Sequence, residues 1–170
     1  LGAKLLSLAD SPSTDAEGRC NGDDPLDHVG HGTHTASTTA GTAVAASGSS
    51  PMLAVSGIAP CAHIRAYKAC PGTSCTWSGL LASMDNVLLD GDVDVLNYSI
   101  AGGTDPWNDT DRTKLDLVAS GVFIAASAGN TNPSIPDPVG RVNHLGPWVT
   151  TVAATSHDVW ADGLLDVAGP

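Results

Sequence analysis

From His63 onward, short β-rich apolar runs alternate with segments of helical periodicity, and few folds accept that alternation. His63 to Ala69 reads as a strand. Trp77, Leu80, Leu81, Met84, Val87 and Leu88 then recur at helical spacing and form one apolar face. Gly91 stops that helix, Val93 to Ile100 supplies the next strand, and Thr110 to Ser120 gives a second amphipathic helix that Gly121 ends. Val122 to Ala126 and Trp148 to Ala153 read as two further buried strands, and Ala3 to Leu8 as a short one near the start. Strands joined by helical crossovers pair in parallel. The expected class is α/β with a parallel sheet.

Between these units lie stretches without periodicity. Asp10 to Asp27 is an acidic loop carrying Asp15, Glu17, Asp23 and Asp24, and Asn132 to Pro147 holds four prolines and reads as a surface loop. A helix beginning at His31 and running to about Ala46 is made mostly of Ala, Thr, Ser and Gly. Such residues are poor helix formers one by one, so packing against a sheet must hold it.

A chain of 170 residues with 42% hydrophobic content can fill the core of one domain. Seven Lys and Arg against 18 Asp and Glu leave a formal charge of -11, which disfavours nucleic acid and anionic membranes as partners. No apolar run is long enough to cross a bilayer, and Leu1 to Leu8 is too short and wrongly flanked for a signal peptide. The sequence reads as that of a mature, soluble protein. Cys20, Cys61, Cys70 and Cys75 lack the spacing of a zinc site. Cys70 and Cys75 flank a Pro-Gly turn and are the favoured disulfide; a Cys20 to Cys61 bridge is not deducible, and four reduced thiols in a cytosolic protein stand as the alternative. The balance favours a secreted protein.

The chemistry concentrates in three segments. In Gly30-His31-Gly32-Thr33-His34-Thr35-Ala36-Ser37 an imidazole sits between two glycines at the start of a helix, a placement suited to a general base. In Ala125-Ala126-Ser127-Ala128-Gly129-Asn130 a buried strand ends in small residues and an amide side chain. Asn97-Tyr98-Ser99-Ile100-Ala101-Gly102-Gly103 is a strand that runs into a glycine turn. Together, and in the order in which they occur along the chain, they resemble the subtilisin family of serine proteases, over roughly Gly2 to His157.

The resemblance implies a three-layer, parallel-sheet subtilisin-like fold that is incomplete here, with residues 1–158 a partial catalytic domain. Residues 159–170 would begin a following segment or an inserted domain, because Thr151 to Thr155 is similar to the stretch that precedes the protease-associated insert in one branch of the family. It implies that His31 is the general base and that the Asn130 side chain donates to the oxyanion. Ser99, Ile100, Ala101 and Gly102 would form one wall of the peptide cleft, and Ala126, Ser127, Ala128 and Gly129 the other. The substrate would be a polypeptide, with the missing segments of the same protease as a second partner. No cofactor is expected, although loop-bound calcium occurs in the family and Asp23, Asp24 and Asp27 are acidic enough to draw it; solvated loop is the plainer reading. Zinc at His28, His31 and His34 is disfavoured, because Gly30 and Gly32 fall where the helix is only beginning.

The other two members of a catalytic triad have no convincing counterpart. Asp10 follows a strand, as the family's aspartate does, but Pro12 stands where the family has glycine and the 21-residue spacing to His31 is short. Gly72-Thr73-Ser74 copies the start of the family's serine motif, yet it continues with Cys75 and precedes Asn130 instead of following it. The chain therefore reads as an internal piece of a secreted serine endopeptidase, inactive by itself. The competing reading is a non-enzymatic peptide-binding module derived from a degenerate subtilase.

Overall fold

Helix ends in this protein are set by side-chain caps and glycines. In the computed structural model, which describes residues 4–6, 27, 29–45, 54–70 and 73–156, α1 spans His31–Ala40, α2 Trp77–Asp90 and α3 Asp109–Ala119. Thr76 caps α2 by accepting from the Gly79 N–H, and Asn108 caps α3 by accepting from that of Asp111. Gly91 closes α2 in the left-handed region, at φ 63°, where a β-carbon would be strained.

The strands are β1 (Lys4–Leu6), β2 (Val44–Ala45), β3 (Ala54–Val55), β4 (His63–Arg65), β5 (Val95–Tyr98), β6 (Phe123–Ser127) and β7 (Thr150–Val152). Five of them form one parallel sheet in the order β4-β1-β5-β6-β7, with Leu5 opposite both Ile64 and Val95, Tyr98 opposite Ala126, and Ser127 opposite Val152. The connections β4-α2-β5 and β5-α3-β6 advance across the sheet in one direction, whereas β1-α1-β4 steps back. Right-handed crossovers then put α2 and α3 on one face and α1 on the other, which gives three layers. The core lies under α2 and α3, where Leu80, Met84, Val87 and Leu117 meet Leu96, Tyr98, Ile124 and Ala126.

Three expectations change. The first helix ends at Ala40, not near Ala46, because Gly41 leaves helical geometry and the chain turns into β2, paired antiparallel with β3. The last turn stays satisfied, since the Thr38 and Thr39 carbonyls accept from Ile58 and Ala59. The strand at Trp148 to Ala153 shrinks to β7 and is not buried: Thr150 and Val152 are exposed on the edge of the described sheet. Finally, the proline-rich segment is a surface loop only in part, because it turns inward and fully buries His144.

The two tyrosines offer a check on this packing. Burial and the Asp90 carboxylate, which accepts from the Tyr67 hydroxyl, push that phenol up to about 12. Tyr98 is raised further by burial and by the charge of Asp111. An ultraviolet titration should therefore show almost no tyrosinate at pH about 10, where free tyrosine is half ionised. A half-amplitude step there would contradict the packing.

Candidate active site

His31 occupies the first helical position of α1, and the approach to it is held by a residue four places earlier. Gly30 is left-handed, at φ 86°. Asp27 Oδ1 accepts from the N–H groups of Val29 (3.0 Å) and Gly30 (2.8 Å), and Oδ2 accepts from that of Thr33 (2.7 Å). These donors, Thr33 first and then Gly30, hold the Asp27 carboxyl far below the usual carboxylate range. Asp27 is thus the side-chain cap of the helix that presents His31, not a partner of its imidazole. Asp27→Ala should fray this turn and speed amide exchange at Gly30 and Thr33, while Leu80 to Val87 in α2 keep their protection. Equal exchange in both proteins would show that the cap contributes nothing.

The His31 ring is exposed and opens on a cavity of about 410 Å³, within the range that holds organic ligands. Gly32 and Thr35 of α1 line it, together with Tyr67, the inner face of α2, and Asn97, Ser99 and Ile100 at the carboxyl end of β5. In parallel α/β sheets that end of the strands is where ligands bind. The structure therefore gathers His31, Ser99 and Ile100 around one space; Ala101, Gly102 and the segment from Ala126 to Asn130 lie outside its lining.

The two expected walls are nevertheless neighbours. Tyr98 pairs with Ala126, and Ser127 Oγ donates to the Ile100 carbonyl at 3.2 Å. Beyond β6 the backbone is tightly held: Ala128 donates to Val152, and its carbonyl accepts both the backbone N–H and the side-chain amide of Asn143. Gly129 sits at φ 95°, where an added β-carbon would also strike the Asn143 side chain, so this position demands glycine. Asn130 follows it, exposed.

One group of functional-looking residues escaped the sequence reading. Asp111, Lys114 and His144 are fully buried together behind β5. Asp111 Oδ1 accepts from Lys114 Nζ (2.7 Å) and contacts His144 Nδ1 (2.7 Å), while Oδ2 accepts from Asn108 Nδ2 (3.0 Å). Lys114 Nζ also lies 3.8 Å from the centre of the Tyr98 ring, a cation–π contact. Burial raises the Asp111 carboxyl, but hydrogen bonds from His144 and Lys114 outweigh it and leave the group below its ordinary value. Burial dominates at Lys114 and lowers it. A signal was present: Asp111, Lys114 and Leu117 recur every third residue, so polar side chains share the face that buries Leu117.

Of the remaining candidates, Asp10, Asp23, Asp24, His28 and Cys20 fall outside the described residues. Cys70 and Cys75 are bonded to each other, which puts the exposed Ser74 inside a disulfide loop and not at a helix start. Cys61 is exposed. Among the described residues no three His, Cys, Asp or Glu side chains converge as metal ligands, and no helix is long and apolar enough to cross a membrane.

A parallel α/β sheet with a histidine-bearing helix start beside the carboxyl end of a central strand defines an α/β protein with a ligand-sized cleft in the position such folds use. Comparison with known proteins gives that class its family. The sequence model of the subtilase family matches residues 9–161, and the chain belongs to that family. It is 37% identical to subtilisin-like protease SBT4.15 of Arabidopsis thaliana over 93% of this chain and 20% of that protein. It is 42% identical to subtilisin-like protease SBT1.6 of the same plant, over 79% of this chain and 18% of the relative. The chain thus spans about a fifth of these relatives. Among solved structures, sphericase superposes at TM-score 0.60 with 22% identity, over 95% of this chain and 56% of sphericase. A psychrophilic protease does so at 0.57 with 20% identity, over 89% and 52%. Both share the fold.

Proposed function

We propose that this chain supplies the general base and the oxyanion donor of a subtilisin-type serine endopeptidase, whose catalytic aspartate and serine come from segments outside these 170 residues. The observation that carries the reading is the juxtaposition of His31 with Ser99 and Ile100 around one cavity at the carboxyl end of β5. In the complete site His31 takes the proton of the serine hydroxyl as that oxygen attacks a peptide carbonyl, then returns it to the leaving amine. The Asn130 amide donates to the oxyanion that forms, and water hydrolyses the acyl-enzyme. Asp27 leaves the role of orienting carboxylate open, because its oxygens are committed to backbone N–H groups.

The peptide would lie along Ser99 to Gly102 on one side and Ala126 to Gly129 on the other. Small side chains in the Ala126 to Gly129 wall leave room for a bulky apolar substrate side chain. The Cys70–Cys75 bridge favours an oxidising, extracellular setting, hence a secreted enzyme. The similarity of Thr151 to Thr155 supports the branch with an inserted protease-associated domain, which would begin near residue 159.

The test of this function is a pair of variants in the full-length product that contains this chain. Asn130→Ala should lower kcat by roughly 100- to 1,000-fold, a magnitude measured on subtilisin itself, with little change in KM. Loss confined to KM would remove Asn130 from the oxyanion site and make it a binding residue. A full-length product that binds extended peptides but cleaves none would instead favour the degenerate binding module.

A further inference from the structure

The buried cluster behind β5 reaches the cleft through one bond. His144 Nε2 lies 2.9 Å from the Ile100 carbonyl oxygen, which also accepts from Ser127 Oγ. A carbonyl oxygen only accepts, so Nε2 carries the hydrogen. The same ring fills the space at Gly102, where a β-carbon would collide with it, and the His144 N–H donates to the Gly103 carbonyl at 3.3 Å. One buried residue therefore touches the edge that would bind peptide at Ile100 and Gly102, and the adjoining Gly103. The exposed Ala101 between them makes no backbone hydrogen bond to a described residue.

We propose that His144, oriented by Asp111 and Lys114, is a positioning residue that fixes the Ser99 to Gly102 edge by holding the Ile100 carbonyl inward, so that Ala101 is presented to an extended peptide. The proposal rests on the reading of that edge as substrate-binding. Asp111 and Lys114 orient the ring from its other nitrogen: Nδ1 lies 2.7 Å from Asp111 Oδ1 and 3.2 Å from Lys114 Nζ, which aims Nε2–H at Ile100. Tyr98 from β5 closes the ring from its side, at 5.3 Å between centroids and edge-on, and Thr151 of β7 fixes the backbone by donating to the His144 carbonyl at 2.7 Å. Asp111, Lys114 and Tyr98 are the titratable groups that face the ring from the elements packed on it, and each has a bonded or ring-stacked place in the cluster.

The first measurement needs no substitution. In the full-length product that contains this chain, nitrogen-15 spectra of the histidines should show one Nε2–H protected from solvent. Absence of such a signal overturns the proposal. The second uses His144→Gln and Lys114→Met with near-ultraviolet dichroism as the control for folding. His144→Gln should speed amide exchange at Ala101 to Gly103 by roughly ten-fold or more, and Lys114→Met should speed it in the same direction by a smaller factor. Exchange unchanged in both, in folded protein, contradicts the clamp.

The third measurement adds a blocked apolar tetrapeptide, followed by the Ala101 amide shift. Its affinity should fall roughly ten-fold in His144→Gln. If the unsubstituted full-length product does not bind the tetrapeptide, the reading of the edge as substrate-binding fails, while the exchange data still judge the clamp. If the tetrapeptide binds both proteins equally although exchange has risen, the positioning role fails and the edge reading stands.

Discussion

Asp111→Ala is expected to destabilise the folded chain by about 3–5 kcal/mol in urea unfolding, the largest effect of any single substitution outside the hydrophobic core. The size follows from what stays behind. Lys114 and His144 are fully buried, and their shared carboxylate would be gone. Net stabilities of single domains are about 5–15 kcal/mol, so the variant would lie near the edge of folding. Lys114→Met in the same background should recover part of the loss, because an apolar side chain of similar length suits that site better than an unpaired ammonium. A loss under about 1 kcal/mol, or no recovery in the double variant, would mean that the charges are solvated and the cluster is not as described.

The same group gives the stability a pH dependence with a definite sign. The folded-state pKa of Asp111 lies below its ordinary value, so its contribution is present above the unfolded pKa of about 3.9 and disappears as the pH falls through the folded value. The stability gap between the native sequence and Asp111→Asn should therefore narrow on acidification. A gap that widens at low pH would reverse the assigned direction.

The second large effect concerns activity. His31→Ala in the full-length product should lower kcat by roughly a million-fold, a magnitude measured on subtilisin itself, because base, nucleophile and orienting carboxylate act as a unit. Folding should survive the change, since the ring is exposed and the start of α1 is held by Asp27. Thermal unfolding unchanged within about 0.5 kcal/mol would separate loss of chemistry from loss of structure. His34, three residues on and also exposed, is the control: His34→Ala should leave kcat within a few-fold of the parent.

Much of the frame was legible because it depends on periodicity. The apolar repeat from Leu80 to Val87 is the face that α2 buries, and Gly91 stops it as a left-handed cap. Strand order was not written in any one segment, since it depends on which edges meet. Element ends were blurred for a related reason. Small residues continue past Ala40, and only the turn at Gly41 and the bonds to Ile58 and Ala59 decide where α1 stops. The site followed the same division. His31, Ser99 and Ile100 come together because motifs at strand ends and helix starts have fixed places in a parallel sheet. His144 was hidden, for a histidine among prolines resembles loop, and its burial depends on Asp111 and Lys114 waiting thirty-odd residues earlier. A polar residue is worth burying only when its partners are buried with it, and partners distant in sequence leave no local pattern.

On the proposed function, His31 serves a serine that lies outside this segment. Labelling of the full-length product with a serine-directed fluorophosphonate, followed by peptide mapping, addresses it directly. One labelled serine is expected, C-terminal to Asn130 and beyond Pro170, with the labelling rate collapsing in His31→Ala. Label on Ser74, or labelling that His31→Ala leaves undiminished, would contradict it.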